Sequence, residues 1–176
     1  LDQFRQVKNH MPYGNIVTWI AMACPEMTPR YWEPWLQVDP FVTQNIWHKR
    51  IHDRIVINRT QRYHNQWIDY FFLKEYEDRL AFLGTEEEHS IFQMDWGITL
   101  PHLNKVNDFL GVAKIIRSCK LFIGNQSMCF AIAEAMKVPR ILEVCDAAPN
   151  VIPAGDGGYY ARNPDCFKML VEKLLK

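Results

Sequence analysis

The sequence lacks a net charge, a metal-ligand pattern and an apolar run of membrane-spanning length. Its 20 Lys and Arg residues balance its 20 Asp and Glu residues, so no electrostatic attraction to nucleic acid or to an anionic membrane is expected. Five cysteines and six histidines occur without a CxxC pair or the spacing of a metal site. The apolar segment Ile16–Cys24 is too short to span a membrane and lacks the flanks of a signal peptide. We therefore expect no metal, no nucleic acid and no membrane span, and the odd cysteine count favours reduced thiols in the cytoplasm.

Repeats and catalytic sets are also missing. The chain has no internal repeat or low-complexity tract, and no Ser/His/Asp or Cys/His combination can be assembled from spacing. What the chain does have is an apolar fraction of 48% over 176 residues, which is enough for one domain with a core. Residues 1–53 differ from the rest, because prolines and aromatic residues interrupt them. We interpret them as an irregular arm or linker, with a helix within Ile16–Cys24, that packs on a body formed by residues 54–176.

Predicted strands and helices alternate from Arg54 onward. Short β-branched or apolar runs predict strands, and amphipathic runs that follow capping residues predict helices. The predicted strands are Ile55–Asn58, Arg79–Leu83, Ile98–Leu100, Leu121–Ile123 and Arg140–Val144. The predicted helices are Gln66–Lys74, Glu86–Phe92, Asp108–Ser118, Ser127–Lys137 and Pro164–Leu175. This alternation indicates an α/β fold, a Rossmann-like parallel sheet of about five strands with helices on both faces.

Polar clusters follow three of the predicted strands, at the strand ends where parallel α/β sheets bind ligands. After the first strand, Thr60 and nearby backbone amides could bind a phosphate oxygen, and Arg59 or Arg62 could supply a cation. The alternative for this cluster is a solvated loop with surface arginines.

The second cluster begins at Gly84 and continues through Thr85 to three glutamates, Glu86–Glu88. A carboxylate that follows the second strand of an α/β sheet often binds ribose hydroxyls. Acidic residues in a first helical turn also stabilise the helix without any ligand, and this alternative stays open. Because three adjacent acids would repel a diphosphate, a ligand contact here would be with a sugar or a base.

The third cluster lies in Lys120–Pro139, a stretch with the pattern of an apolar strand, a polar turn and a helix. Such a turn places backbone N–H groups and the positive end of a helix dipole where a phosphate can bind, although ordinary helix capping by Ser127 explains the same residues. Within the helix, Glu134 is a carboxylate among apolar residues, so it is either paired in the structure or faces the cleft. The later loop Asp146–Gly158, rich in Gly and Pro, either closes over a ligand or is a surface loop.

The segment Phe122–Ile141, FIGNQSMCFAIAEAMKVPRI, carries a resemblance to a known family. It aligns without a gap with the pattern hIGNDSGPMHLAAALGVPTV of the heptosyltransferases, glycosyltransferase family 9. Two weaker matches precede it: IVINRTQRYHNQWID resembles the family's Thr-containing phosphate loop, and LAFLGTEEEH resembles its second strand and ribose-binding acid. The last two thirds of the chain therefore resemble the C-terminal, donor-binding lobe of a GT-B glycosyltransferase, and the Pro-rich segment around Trp35 resembles an interlobe linker.

The chain departs from the family pattern at four positions that would meet the diphosphate and the sugar. Gln126, Met128 and Ala131 replace the family's Asp, Gly and His, and Asn65 replaces its Lys. Gln126 can form hydrogen bonds but carries no charge, and Met128 hinders the close approach of a backbone. Arg62 or Arg59 could supply the missing cation. The resemblance with these departures implies that nucleotide-sugar binding is altered, or lost.

The resemblance implies a nucleotide-diphosphate sugar as substrate, with no cofactor and no metal. The residues expected at the diphosphate are Thr60, Arg62, Asn125, Gln126, Ser127 and Met128. The residues expected at the ribose and base are Gly84, Thr85 and Glu86, and no catalytic residue is assigned. A hexosyl or heptosyl group would pass to an acceptor hydroxyl, but only with an amino-terminal lobe or partner chain that is missing here. The alternative is a binding or assembly module that has lost donor chemistry; another enzyme of the same architecture, such as a nucleotide-sugar epimerase, is less favoured.

Overall fold

The computed structural model describes residues 30–40, 51–106, 108–147 and 151–176, together with Cys24 and Glu26. Most of the predicted arm, including nearly all of the helix expected within Ile16–Cys24, lies outside the described residues. Of the arm's described part, Leu36 and Val38 pack against the core of the body. Ile51, on the arm side of the predicted boundary, is buried in the same core.

In the described part of the chain, five parallel strands form one sheet in the order β2-β1-β3-β4-β5. The strands are β1 (Ile55–Asn58), β2 (Leu80–Phe82), β3 (Leu121–Gly124), β4 (Arg140–Glu143) and β5 (Gly158–Ala161). Every residue of β1 to β4 is buried, as expected for parallel strands that are covered on both faces. Gly124 pairs with Asn58, and an added Cβ would lie 2.9 Å from the Asn58 carbonyl oxygen. A side chain at Gly124 would therefore force the ends of β1 and β3 apart.

Within the described residues, two 3₁₀ helices and four α-helices accompany the strands. They are the 3₁₀ helices Ile51–Asp53 and Phe71–Arg79, and α1 (Glu86–Trp96), α2 (Phe109–Ser118), α3 (Met128–Met136) and α4 (Pro164–Leu175). Each α-helix follows a residue whose side chain accepts a hydrogen bond from the first turn: Thr85, Asp108, Ser127 and Asn163. Such caps stabilise a helix by about 1 kcal/mol each, and the starts predicted from sequence for these four α-helices are confirmed. None of these helices is long and apolar enough to cross a membrane.

Helices lie on both faces of the sheet, so the core has two halves. On one face, α1, α4 and the 3₁₀ helix Phe71–Arg79 pack against Ile55 and Ile57. On the other face, α2 and α3 pack against Val56 and Phe122. The predicted fold class, an α/β Rossmann-like parallel sheet with helices on both faces, is confirmed.

The membership of the sheet differs from the prediction at one strand. The segment Ile98–Leu100 does not form a strand; its two apolar side chains are buried in the core, and the following His102 makes an isolated parallel bridge with Phe82. The fifth strand is β5 instead. The sequence does not predict this strand, because Gly157 and Gly158 are typical of a loop.

The helix predicted over Gln66–Lys74 also begins later than expected. Two short polar side chains form turns first, because Asn65 Oδ1 accepts a hydrogen bond from Trp67 N and Asp69 Oδ1 accepts one from Phe71 N. Such local side-chain bonds compete with helical bonds. The chain therefore becomes helical only at Phe71, and the helix is of the 3₁₀ type.

Candidate functional site

A cavity of about 470 Å³ opens at the carboxyl ends of β1, β2 and β3. This is where parallel α/β sheets bind ligands, and the volume is in the range of small-molecule sites. Six of the ten predicted site residues line it: Thr60, Gly84, Thr85, Glu86, Ser127 and Met128. The fold therefore brings the three predicted clusters together around one space, while their contact with a ligand stays a prediction.

Much of the remaining cavity wall is apolar. Leu83, Leu103, Val106, Val112 and Cys129 contribute to it. Two of these, Leu103 and Val106, lie in the connection between α1 and α2, which carries no motif that could mark it as part of a site. Apolar walls with a few polar groups are typical of small-molecule sites.

The β2 side of the cavity is built around a helix cap. Thr85 Oγ1 accepts a hydrogen bond from Glu88 N at 3.2 Å, and Glu88 Oε2 accepts one from Thr85 N at 2.9 Å, which is a capping box. The Glu88 carboxylate is thus committed to the backbone, whereas Glu86 is exposed. The second cluster therefore caps α1, and it also lines the cavity with Glu86 as its exposed carboxylate.

A pair of stacked histidines closes the same side of the cavity. His102, which lines the cavity, lies parallel to His89 with 4.6 Å between the ring centroids. Nε2 of His102 donates a hydrogen bond to Gly84 O at 2.9 Å, and Nε2 of His89 donates one to Leu100 O at 2.9 Å. The two rings thus tie the connection after α1 to the end of β2.

The loop that follows β1 is anchored at both ends by Glu143, the last residue of β4. Arg59 donates to both carboxylate oxygens, at 2.9 and 3.2 Å, and the Asn65 backbone N–H donates to Oε1 at 2.7 Å. The Tyr70 hydroxyl donates to Oε2 at 2.8 Å, and burial together with the charge of Glu143 raises the pKa of Tyr70 well above its ordinary value. Arg59 is buried in this ion pair, so it is not the phosphate-binding cation considered from the sequence.

The middle of the same loop is held by Asn125, which is fully buried. Its Oδ1 accepts a hydrogen bond from Thr60 N at 3.0 Å, and its Nδ2 donates to the carbonyl oxygens of Thr60 and Arg62 at 2.9 and 2.5 Å. Tyr63, which follows Arg62 in this loop, has a φ of +59°. This left-handed conformation is uncommon outside glycine. Asn125 was expected at the diphosphate; its amide is committed to the loop instead.

Ser127 links the three strand ends at the cavity. Its hydroxyl donates to Asn58 Oδ1 at 2.7 Å and accepts from Phe130 N at 3.1 Å. Asn58 in turn donates through Nδ2 to Leu83 O at 2.7 Å. Ser127 therefore caps α3 and lines the cavity at the same time, next to Met128, which is 48% exposed.

Among the described residues that line the cavity there is no Lys or Arg. The cavity does contain the carboxylates of Glu86 and Glu88. Arg62 is exposed outside it, with its guanidinium carbon 5.4 Å from the centroid of the Tyr63 ring. Arg62 and Gln126, both expected at the diphosphate, thus do not line the cavity, and its interior is not electropositive.

Glu134 lies away from the cavity, in a buried ion-pair cluster at the amino ends of the strands. Its oxygens lie 2.5 Å from Lys137 Nζ and 2.6 Å from Arg140 Nε, and Oε1 accepts a hydrogen bond from Ala154 N at 3.1 Å. Of the two alternatives drawn from the sequence, the paired carboxylate describes Glu134 and the cleft carboxylate is wrong.

The same cluster fixes two further segments of the chain at this edge. Arg140 donates to the carbonyl oxygens of Ala154 and Asp156 at 2.6 and 3.2 Å, so the described end of the Gly- and Pro-rich loop lies here and does not line the cavity. Lys137 donates to Tyr31 O at 2.6 Å and its Nζ lies 4.5 Å from the centroid of the Trp35 ring. Burial lowers the pKa of Lys137, an effect that Glu134 partly offsets.

The cavity wall contains one thiol, that of Cys129, in the first turn of α3. Burial and, to a smaller extent, the charge of Glu88 raise the pKa of Cys129 to about 11. The thiol is therefore protonated at neutral pH and is a poor nucleophile, despite its place at a helix N-terminus. No group of three or more His, Cys, Asp or Glu side chains that could hold a metal occurs among the described residues.

No protein-family model and no curated protein sequence matches the chain. Among solved structures, the fold is similar to that of ADP-heptose LPS heptosyltransferase II from E. coli, with a TM-score of 0.50 and 16% sequence identity. The match covers 91% of this chain and 61% of the heptosyltransferase chain. At this identity the likeness shows a shared α/β fold alone, and the chain spans less than two thirds of that neighbour's length.

Proposed function

We propose that the chain is the nucleotide-sugar-binding lobe of a glycosyltransferase. The observation that supports this most is the cavity at the carboxyl edge of the sheet, in which the clusters after β1, β2 and β3 meet. The structural neighbour is by its name a transferase that uses ADP-heptose, and its fold supports the same class of donor for this chain.

The cavity favours one orientation of a nucleotide. The base would lie against the apolar wall that includes Leu103 and Val112, and the exposed Glu86 would accept hydrogen bonds from ribose hydroxyls. The diphosphate would lie toward Thr60 and the first turn of α3, whose N–H groups carry partial positive charge. This orientation separates the phosphate charge from the carboxylate of Glu86.

The proposed reaction is the attack of an acceptor hydroxyl on the anomeric carbon of the donor. The bond between that carbon and the diphosphate oxygen breaks, the electron pair stays on the diphosphate, and the hydroxyl proton passes to a general base. Hydrogen-bond donors at the diphosphate would stabilise the departing charge. We assign the base and the acceptor site to a second lobe or a partner chain, because transfer requires both substrates to be held in one geometry.

Thermal unfolding in the presence of ADP, UDP, GDP and CMP tests donor binding. A nucleotide at 100 times its Kd stabilises the folded state by about 2.7 kcal/mol, which raises the unfolding midpoint measurably. Met128→Trp should fill the mouth of the cavity and abolish the shift, whereas Met94→Trp, an exposed methionine that does not line the cavity, should retain it. If no nucleotide shifts the wild-type midpoint, the proposal is wrong.

A binding or assembly module without transferase chemistry is the second candidate. It is favoured by the composition of the cavity, because the described lining residues include no Lys or Arg to stabilise a diphosphate leaving group. Incubation with ADP-glucose or UDP-glucose separates the two candidates when the chain is combined with the second lobe or partner chain that supplies the base and the acceptor site. Nucleotide binding without release of nucleoside diphosphate, with or without added sugar acceptors, would favour the module, and release would favour the transferase.

A further inference from the structure

His102 gives the cavity wall a hydrogen-bond acceptor whose position on the ring is fixed by the backbone. Its Nε2 lies 2.9 Å from the carbonyl oxygen of Gly84, and because a carbonyl oxygen can only accept, Nε2 carries the proton. In the neutral imidazole the other nitrogen, Nδ1, then has a lone pair and no proton. No residue that the structure describes forms a hydrogen bond with Nδ1, so this acceptor is left for a ligand.

The ring of His102 is held in one orientation by its neighbours. It stacks on His89 with 4.6 Å between the ring centroids and 16° between the ring planes. The backbone around it is paired with the end of β2, because Phe82 N donates to Pro101 O and Leu103 N donates to Phe82 O, both at 2.8 Å. A ligand would therefore meet an acceptor whose direction is already set before binding.

Asn104, two residues further along, adds an amide to the same wall. It lines the cavity, it is exposed, and its side chain makes no hydrogen bond with the residues that the structure describes. The other amide among the described lining residues, that of Asn58, is buried and bonds to Leu83 O and to the Ser127 hydroxyl. Asn104 thus offers a ligand both a donor, Nδ2, and an acceptor, Oδ1.

The two side chains flank Leu103, against which the proposed function places the base. The polar edge of such a base would lie beside two acceptors, His102 Nδ1 and Asn104 Oδ1. An exocyclic amino group carries two hydrogens and can donate one to each acceptor. Uracil and hypoxanthine have carbonyl oxygens in place of the amino group and a single N–H at the neighbouring ring nitrogen, so they leave one acceptor unpaired.

We propose that His102 and Asn104 determine the specificity for the base, and that they select adenine, cytosine or guanine over uracil through the exocyclic amino group. The inference rests on the proposed function and deepens it, because it names the class of donor nucleotide. One amino hydrogen is donated to His102 Nδ1 and the other to Asn104 Oδ1, while Asn104 Nδ2 donates to the ring nitrogen beside the amino group. A site built to bind an N–H group rejects analogues without it, because its own polar groups are then left unpaired.

Matched nucleosides isolate the amino group from the rest of the ligand. Cytidine and uridine differ only at this group and the adjoining ring nitrogen, and so do adenosine and inosine. Calorimetry at pH 8, where free imidazole is uncharged, should show cytidine binding about tenfold more tightly than uridine, and adenosine about tenfold more tightly than inosine. The corresponding nucleoside diphosphates should show the same ratios, because the phosphates are common to both members of each pair.

Substitutions of the two residues test the assignment. His102→Leu removes Nδ1 and should bring each pair to within about threefold. Asn104→Asp presents two acceptors, which match the adjacent N1–H and N2 amino group of guanine, so guanosine should gain about tenfold over adenosine relative to the wild type. Asn104→Leu, which has nearly the same shape, should weaken both nucleosides without this gain. Because Asn104 is exposed, we expect both of its variants to fold, which circular dichroism would verify.

Equal affinities within both pairs in the wild-type chain would overturn the inference and leave the proposed function standing. A folded His102→Leu that keeps the wild-type ratios would also overturn it, as would an Asn104→Asp that favours guanosine no more than Asn104→Leu does. If no nucleoside and no nucleoside diphosphate binds the wild-type chain, the proposed function is wrong and the inference is wrong with it.

Discussion

Strand β4 begins with the buried Arg140 and ends with the buried Glu143. The two residues belong to separate ion-pair clusters, which differ in the hydrogen-bond partners of their charged groups. At the amino end, Arg140 bonds to Glu134 and also to three backbone carbonyls. At the carboxyl end, Arg59 has its described hydrogen bonds with one carboxylate only, that of Glu143.

Because of this difference, we expect the loss of a charged group to lower the free energy of unfolding by different amounts at the two edges of the sheet. Around Arg140 the cation keeps several acceptors when one is lost. Glu143 accepts from three donors, Arg59, the Asn65 backbone and Tyr70, as Glu134 does at the other edge, but Arg59 has no second acceptor among its described hydrogen bonds. The cations at the amino edge therefore have several acceptors, whereas the two ends of the loop beside the cavity depend on one group, Glu143.

Glu143→Gln should have the largest effect on stability. It leaves the buried Arg59 without a counter-charge, and breaking a buried pair in this way costs about 3–5 kcal/mol. Urea unfolding followed by circular dichroism measures this loss. We also expect nucleotide stabilisation to weaken, because both ends of the loop that carries Thr60 are released; a loss below 1 kcal/mol would show that the carboxyl edge is as redundant as the amino edge.

Glu134→Gln is the matched change at the amino edge, and we expect a smaller cost of about 1–3 kcal/mol. Arg140 keeps its bonds to backbone carbonyls, and Lys137 keeps its bonds to Tyr31 O and Ala154 O. Nucleotide stabilisation should remain at the wild-type level, because the cluster lies at the edge opposite the cavity. A cost as large as that of Glu143→Gln would contradict the comparison.

The smallest expected effect is a pH dependence that comes from Lys137. Because burial lowers its pKa in the folded chain below the ordinary 10.5, the unfolded chain binds more protons between the two values. The free energy of unfolding should gain a rising contribution as pH increases through that interval. Lys137→Met should remove it and the exposed Lys120→Met should not, as measured by urea unfolding from neutral pH to pH 10; identical profiles for the two variants would rule out the effect.

The strands and helices with strong local sequence patterns could be predicted from the sequence. The strand after Arg54 and the capped helices that begin at Glu86, Phe109 and Met128 could be predicted, because short-range patterns specify them. Strand β5 could not, since its residues are partly exposed and it begins at the second of two consecutive glycines, Gly157 and Gly158. Its place in the sheet comes from pairing with β4, a tertiary contact that local sequence patterns do not predict.

The site divides in the same way. That Thr60, Thr85 and Ser127 meet could be predicted, because each follows a parallel strand and such strands end at one edge. The roles of Arg59 and Asn125 could not, because their partners lie 84 and 65 residues away in the sequence. A buried polar side chain and an exposed ligand-binding one look alike in a motif, and only the tertiary contacts separate them.

The two outer edges of the sheet have unequal exposure to self-association. Along β2, the segment that includes His102 pairs with Phe82 and covers the edge. Along β5, no described residue pairs with the outer side, and exposed strand edges can add strands from other molecules. Cations there lie over aromatic rings, Lys173 over Tyr159 and Arg162 over Tyr160. Both cations thus lie beside the open edge strand, and charged side chains at such an edge disfavour the pairing of a second copy of the chain.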